Sequence, residues 1–86
     1  MAEYAITFAK SARRELEALE TPTAARIFAR IERLSENPRP RDCLKLRGRQ
    51  SLWRLRVGDY RVIYAIDDDN LVVDIAVVRH RRDAYR

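Results

Sequence analysis

The chain has 86 residues, of which 47% are hydrophobic and 36% are charged, with two glycines and three prolines. This length and composition predict a single globular domain over residues 1–86. No apolar run approaches the ~20 residues of a membrane span, and the first residues lack the basic and apolar regions of a signal peptide. We therefore expect a cytoplasmic protein with no membrane partner.

The chain has few residues that could support metal, redox or cofactor chemistry. Cys43 is the only cysteine and His80 the only histidine, so neither an internal disulfide nor a zinc site of Cys and His ligands is available. Four aspartates gather near the fourth predicted strand, but they lack the spacing of a calcium loop and suit a polar turn: Asp67, Asp68, Asp69 and Asp74. We expect no metal and no cofactor.

The net charge of +5 is unevenly distributed, and 16 of the 18 basic residues are arginine. Residues 1–37 are neutral, residues 38–61 carry +6, residues 62–77 carry −4 and residues 78–86 carry +3. Two separate basic segments favour a surface that binds a polyanion, with nucleic acid as the first candidate. The alternative is a solvated basic face without a ligand.

The N-terminal part of the chain predicts one strand and two helices. Large apolar or aromatic side chains recur at every second position of residues 4–8, at Tyr4, Ile6 and Phe8, which is typical of a half-buried strand. Residues 9–20 show the spacing of an amphipathic helix, and Thr21 followed by Pro22 suits the N-cap and first turn of a second helix. That helix runs to about residue 35 with this predicted apolar stripe: Ala24, Ile27, Phe28, Ile31 and Leu34.

The C-terminal part predicts three strands, at residues 52–57, 60–66 and 71–79. Gly58 and Asp59 suit a two-residue hairpin turn of type II′ between the first two of them. The predicted order is therefore β-α-α-β-β-β. This is an α+β fold in which a small antiparallel sheet packs on the N-terminal helical hairpin and leaves its other face open.

The hairpin turn fixes a register that places two arginines opposite each other. With a two-residue turn, Arg56 lies opposite Arg61 and Arg54 lies opposite Ile63. Like charges directly opposite each other in an antiparallel pair are destabilising. An anion bound between the arginines would explain the pair; splaying of the side chains into water, or a carboxylate partner, would also do so.

The last residues add cations, an imidazole and an aromatic ring that could reach the same open face. His80 is a conceivable general acid or base because an imidazole is the side chain best suited to proton transfer near neutral pH, although it could equally be structural or contact phosphate. Tyr85 could stack on a base or take part in proton transfer, since neighbouring arginines would lower the pKa of its phenol; an ordinary packed tyrosine is the alternative.

The strings GDYRVIY at residues 58–64 and HRRDAYR at residues 80–86 carry a family resemblance. Together with the preceding helices, they make essentially the whole chain similar to the RelE/ParE superfamily of type II toxin-antitoxin toxins, in its RelE-like branch. The resemblance implies the sheet and helical hairpin derived above. It also implies an endoribonuclease that cuts messenger RNA in the ribosomal A site without a metal and is neutralised by an antitoxin.

Position by position, the resemblance implies the residues that would carry this activity. Some members of the family have lysines where this chain has Arg54 and Arg56, a departure that leaves the general base open. The implied catalytic residues are Arg56, Arg61, Arg81 and Tyr85. The residues expected to bind RNA are Lys45, Arg47, Arg54, Arg79, His80 and Arg82.

Two other functions stay open at this point. ParE-type toxins share the fold and poison DNA gyrase, and a catalytically weak chain could act as a binding or corepressor module. In each case the resemblance implies an antitoxin as partner, with operator DNA contacted only through the complex of toxin and antitoxin.

Overall fold

The structure is a computed structural model that describes residues 3–46, 48, 52–80 and 82. Five strands and two helices follow one another in the order β-α-α-β-β-β-β. Their bounds are β1 Ala5–Phe8, α1 Lys10–Glu17, α2 Thr21–Arg33, β2 Cys43–Lys45, β3 Leu52–Val57, β4 Tyr60–Asp67 and β5 Val72–His80. The α+β class and the succession of predicted elements are confirmed, and the structure adds β2.

The strands form one sheet in the order β1-β5-β4-β3-β2. Three of the four pairings are antiparallel, but β1 runs parallel to β5. The sheet is therefore mixed at one edge, where a purely antiparallel sheet was predicted. A local pattern of alternating residues identifies a strand but not its neighbour, which explains this difference.

The core lies between the helices and one face of the sheet. Side chains from α1, α2 and every strand except β1 and β2 are buried there, and none of the buried side chains in the described residues is charged. The buried hydrophobic residues that form the core are Ala12, Ile27, Ile31, Leu34, Leu55, Val57, Val62, Tyr64, Ile66, Val73, Ile75 and Val78. The other face of the sheet carries no helix among the described residues.

Two details of α2 differ from the prediction. The helix begins at Thr21 itself with Glu20 at the N-cap, and no side chain caps it, so the role predicted for the Thr21 hydroxyl is wrong. Phe28 was expected in the apolar stripe, but it is 43% exposed and stacks on Phe8 at a ring-centroid distance of 6.4 Å. A stripe of this width places its outermost member at the rim of the core.

The β3–β4 hairpin has the register that its turn predicted. Arg56 pairs with Arg61, and Arg54 pairs with Ile63. Gly58 has a φ of +60°, while Asp59 is not among the residues with positive φ. This combination is that of a type II′ turn, in which the first central residue must be glycine or a residue that tolerates the left-handed region.

A buried tyrosine connects the sheet to the segment between α2 and β2. Tyr64 is fully buried, and its hydroxyl donates a hydrogen bond of 2.8 Å to the carbonyl of Pro38. Burial raises the pKa of this phenol above its ordinary value, so it stays protonated and keeps donating.

In the part of the chain that the structure describes, no helix is long and apolar enough to cross a membrane.

Candidate nucleic-acid interface

Three arginines lie side by side across the face of the sheet that the helices leave open. Arg56 pairs with Arg61 across β3 and β4, and Arg61 pairs with Arg79 across β4 and β5. Residues directly opposite each other in a sheet point to the same face. Their neighbours along the strands, such as Leu55 and Val62, point into the core. We call Arg56, Arg61 and Arg79 the arginine row.

The backbone places these three residues close together. Arg56 and Arg61 form the second pair after a two-residue turn, which is a non-hydrogen-bonded pair with Cα atoms roughly 4.5 Å apart. Arg61 and Arg79 form a hydrogen-bonded pair with Cα atoms roughly 5.5 Å apart, because the N–H of the adjacent Val78 points away from β4 to Glu15. Three cationic side chains thus share one line across the sheet.

Burial differs along the row and is greatest at its centre. Arg61 is half-buried, and its Nε atom is inaccessible to solvent. Arg56 is exposed, and the side chain of Arg79 is 45% exposed. A partly buried guanidinium with restricted rotamers is better ordered for bidentate phosphate contact than a long cation in free solvent.

An apolar strip adjoins the arginine row on the same face. Its members are Leu44 on β2, Ile63 on β4 and Val77 on β5, which we call the apolar strip. Arg54 on β3 lies between Leu44 and Ile63, and Ile63 pairs with Val77. Leu44 is 55% exposed. Guanidiniums beside exposed apolar side chains suit a nucleotide, because its phosphate is anionic and the faces of its base are apolar.

Acidic groups on the open face are engaged away from Arg54 and Arg56. Asp74, two strand positions beyond the apolar strip, accepts a hydrogen bond of 2.7 Å from the Thr7 hydroxyl. Among the described residues, no carboxylate forms an ion pair with Arg54 or Arg56. Of the two explanations other than a bound anion, a carboxylate partner for Arg56 thus has no support in the described part of the chain.

One carboxylate does contact the arginine row, and sequence reasoning missed it. Glu15 on α1 accepts a hydrogen bond of 2.7 Å from the Nε atom of Arg79. The two residues are 64 positions apart, so no local motif could have connected them.

Two of the predicted RNA-binding residues lie on the other face of the sheet. Lys45 pairs with Trp53, and its Nζ atom lies 6.0 Å from the centre of the indole ring. His80 pairs with Tyr60, against whose ring it packs edge-on at 5.2 Å. The backbone N–H of Arg82 donates to Nδ1 of His80 at 3.3 Å. These side chains therefore stand on the helix side, next to but separate from the arginine row.

Further cations on the helix side are held in ion pairs. Arg39 donates to both oxygens of Asp68 at 3.2 and 2.7 Å and lies over the Trp53 ring at 5.2 Å. The Arg39 guanidinium and the Tyr4 hydroxyl together lower the pKa of the Asp68 carboxyl below its usual value. Arg30 pairs with Asp42 at 2.7 Å. Because Arg39 and Asp42 both lie just before β2, these two ion pairs attach that segment to α2 and to the turn before β5.

Three predicted site residues lie outside the described residues: Arg47, Arg81 and Tyr85. Their roles stay predictions. The arrangement that the structure does show is a cationic line with an apolar neighbour, and such a line can bind a phosphodiester and stabilise negative charge that develops on it.

Comparison with known proteins identifies the family. A family model described as the ParE toxin of type II toxin-antitoxin system, parDE, matches residues 6–85. The chain belongs to this toxin family. The match covers the helices, the hairpin and the arginine row, and it confirms the resemblance drawn from the GDYRVIY and HRRDAYR strings.

The relatives of this ParE-family toxin carry RelE-type names. Toxin RelG of Mycobacterium tuberculosis is 33% identical over 88 residues, covering 96% of this chain and 97% of the relative. RelE1 of Methanocaldococcus jannaschii is 34% identical over 59 residues, which are 65% of this chain and 66% of that protein. The RelE-RelB complex of Pyrococcus horikoshii has a TM-score of 0.82 at 31% identity, over 92% of this chain and 96% of the solved chain. The chain is thus a RelE-like toxin of a type II toxin-antitoxin system.

Proposed function

We propose that this toxin is an endoribonuclease that cuts messenger RNA during translation. The observation that carries the proposal is the arginine row, flanked by Arg54 and an apolar strip on an otherwise uncovered face of the sheet. RNA cleavage within a chain needs no protein nucleophile, because the ribose 2′-hydroxyl is already adjacent to the phosphorus. The protein must align that hydroxyl and stabilise the charge that develops on the phosphate.

The proposed reaction is a transesterification. The 2′-oxygen forms a bond to phosphorus while the bond from phosphorus to the 5′-oxygen of the next nucleotide breaks. The 2′-hydroxyl loses its proton to a base, and the leaving 5′-oxygen gains a proton from an acid. The products are a 2′,3′-cyclic phosphate and a 5′-hydroxyl, so this step consumes no water. The family resemblance implies that it proceeds without a metal.

The proposed roles divide between clamping and proton transfer. Arg56 and Arg61 clamp the scissile phosphate, because they form a non-hydrogen-bonded pair, in which opposite side chains lie closer together than in a hydrogen-bonded pair. Arg81 stabilises the phosphorane or protonates the leaving oxygen, and Tyr85 stacks on the nucleotide or deprotonates it. Arg54 supports the neighbouring phosphate. Arg79 extends the proposed phosphate contacts along the row, and Arg47 and Arg82 are further proposed contacts. Lys45 and His80, which were also expected to bind RNA, stand on the helix side and are left out of the proposed site.

We further propose that a cognate antitoxin neutralises this toxin and that the ribosome presents the message to it. A RelE-like chain from Pyrococcus horikoshii was solved in complex with RelB, and that chain shares 31% of its residues with this one. An acidic, amphipathic segment of an antitoxin would complement the net charge of +5. Operator DNA would be contacted only through the complex of toxin and antitoxin.

The name of the matching family favours a second candidate, poisoning of DNA gyrase. The family model is described by the ParE toxin, and the resemblance drawn from the sequence implies DNA gyrase as the target of the ParE-type branch. This candidate predicts cleaved DNA trapped on gyrase and intact messages. The relatives named RelE and RelG, together with the arginine row, favour RNA.

Induction of the chain in cells without its antitoxin tests the two candidates. Primer extension on cellular messages is expected to show cuts within translated codons. Arg61→Ala should abolish the cuts, whereas Arg33→Ala, which removes an exposed arginine on α2, should leave them in place. Growth arrest with intact messages and broken DNA would refute RNA cleavage and favour gyrase.

A further inference from the structure

In the C-terminal half of β5, past the point where its pairing with β1 ends, a side chain from helix α1 binds the edge of the sheet. The parallel pairing with β1 ends at Phe8 and Ile75, and no strand among the described residues pairs with the last five residues of β5 on that side. Helix α1 lies there, and Glu15 projects from it toward the edge. One carboxylate oxygen of Glu15 accepts the N–H of Val78 at 3.0 Å. The exposed edge amide is thereby satisfied.

The second oxygen of the same carboxylate holds Arg79. It accepts a hydrogen bond from Nε of Arg79 at 2.7 Å, and the Glu15 side chain is only 25% exposed. One carboxylate therefore binds the backbone of Val78 and the side chain of the next residue, Arg79. A bond at Nε uses one edge of the guanidinium and sets the plane of the whole group.

We propose that Glu15 is a positioning residue that orients Arg79 within the arginine row. The inference rests on the proposed RNA cleavage, and it adds a residue from the helical hairpin to the machinery of the sheet. A carboxylate beside an RNA surface repels phosphate, so on charge alone Glu15 would weaken binding. Its contribution comes from restricting Arg79 to the orientation in which Arg79 can contact the phosphate chain alongside Arg61.

A purely structural role would predict a different pattern. If Glu15 served only to satisfy the amide of Val78, its loss would destabilise the chain without depending on the side chain at position 79. If Glu15 acts through Arg79, its loss must have no further effect on cleavage once Arg79 has been removed. A double-mutant cycle separates the two, because residues that act as a unit are not additive.

The experiment compares cleavage of a translated message in a reconstituted translation reaction. Its variants are Glu15→Gln, Arg79→Gln and the double variant, with Glu17→Gln as the matched control. Glutamine keeps the size of glutamate but has one acceptor oxygen instead of two, so it cannot accept from Val78 and Arg79 through separate oxygens as Glu15 does. Glu17 lies on the same helix, is exposed, and makes the same change of charge possible away from β5.

We expect Glu15→Gln to slow cleavage about tenfold, within the up to ~10²-fold that misplacing a reacting group can cost. Glu17→Gln should cut at the wild-type rate, and the double variant should cut at the rate of Arg79→Gln alone. An independent measurement is the Nε–H proton resonance of Arg79 in the wild-type chain, identified by its loss in Arg79→Gln. The hydrogen bond to Glu15 should protect it from exchange with water.

Each other outcome refutes a defined part of the account. Equal rates for Glu15→Gln and Glu17→Gln, or an unprotected Arg79 resonance, would overturn the positioning role while RNA cleavage stands. Additive losses in the double variant would also overturn it, because Glu15 would then act independently of Arg79. A wild-type chain that cuts no RNA would refute the proposed function, and the positioning role with it.

Discussion

Arg56 lies directly opposite Arg61 across the β3–β4 hairpin, on the face of the sheet that the helices leave open. Cross-strand side-chain pairs change the stability of a sheet by about 0.2–1 kcal/mol, and a pair of like charges directly opposite each other lowers it. A bound polyanion would offset this repulsion, and splaying of the two side chains into water would reduce it. The pair is therefore the place where stability and RNA binding are expected to conflict.

Removing one member of this pair should stabilise the chain and weaken its activity. Arg56→Thr replaces a cation with a good strand former, so the free energy of unfolding should rise by up to about 1 kcal/mol at low salt. Because screening by salt weakens the repulsion, the gain should shrink at high ionic strength. Urea unfolding at two salt concentrations measures both effects, and a loss of stability at low salt would contradict the account.

The buried hydroxyl of Tyr64 should matter more for stability than any exposed phenol. Tyr64→Phe removes the hydrogen bond to the Pro38 carbonyl and leaves that acceptor without its donor, which costs about 1–3 kcal/mol. Tyr60→Phe is the matched control, because the structure shows no hydrogen bond from the Tyr60 hydroxyl to a described residue. If the two variants unfold at the same urea concentration, the bond between Tyr64 and Pro38 has no net value.

The ion pair between Arg39 and Asp68 should make stability dependent on acid. The Arg39 guanidinium, followed by the Tyr4 hydroxyl, lowers the pKa of the Asp68 carboxyl in the folded chain. A carboxyl with a lowered pKa stabilises the fold fully above its unfolded pKa of about 3.9, and that contribution is lost as pH falls through the lower folded value. The free energy of unfolding should therefore decline below about pH 4.

Asp68→Asn removes this group's share of the acid sensitivity. The variant should be less stable than the wild type at neutral pH, and the difference should narrow as pH falls below about 4. Asp42, whose pKa is lowered by Arg30, remains in both chains, so the variant keeps part of the acid sensitivity. Parallel stability curves from pH 7 to pH 2 would show that the pair does not stabilise the fold.

Arg54 should contribute to RNA binding as a phosphate contact. Arg54→Ala is expected to weaken binding of single-stranded RNA uniformly across sequences. It should also reduce the slope of log affinity against log salt by about 0.7, the value for one phosphate contact on a single strand. Arg33→Ala, an exposed arginine on the helix side, should leave the slope unchanged. Equal slopes for all three chains would place the RNA away from the open face.

The sequence predicted the hairpin and its arginine pair because both depend on local chemistry. Gly58 and Asp59 determine the turn, the turn determines the register, and the alternation of side chains then determines which face each arginine occupies. The parallel pairing of β1 and the short strand β2 were missed. Strand neighbours depend on the whole chain, and three residues are too few to display a period of two.

The site was predicted less completely than the fold for the same reason. Basic residues were grouped by their closeness in sequence, so Lys45 and His80 were placed with the arginines, although the pleat turns both toward the helix side. Glu15 was missed because its contacts with β5 join residues more than sixty positions apart. Charge patterns identify a basic surface, but which face each residue occupies follows only from the register.

The most direct test of RNA cleavage by the open face is the chemistry of the cut ends. The purified chain is incubated with translating ribosomes and a defined message, and the fragments are analysed by mass spectrometry. The account predicts 2′,3′-cyclic phosphate and 5′-hydroxyl ends, with the rate reduced about 10²- to 10³-fold by Arg61→Ala and unaffected by Arg33→Ala. Intact messages, 5′-phosphate ends, or an unchanged rate in Arg61→Ala would contradict it.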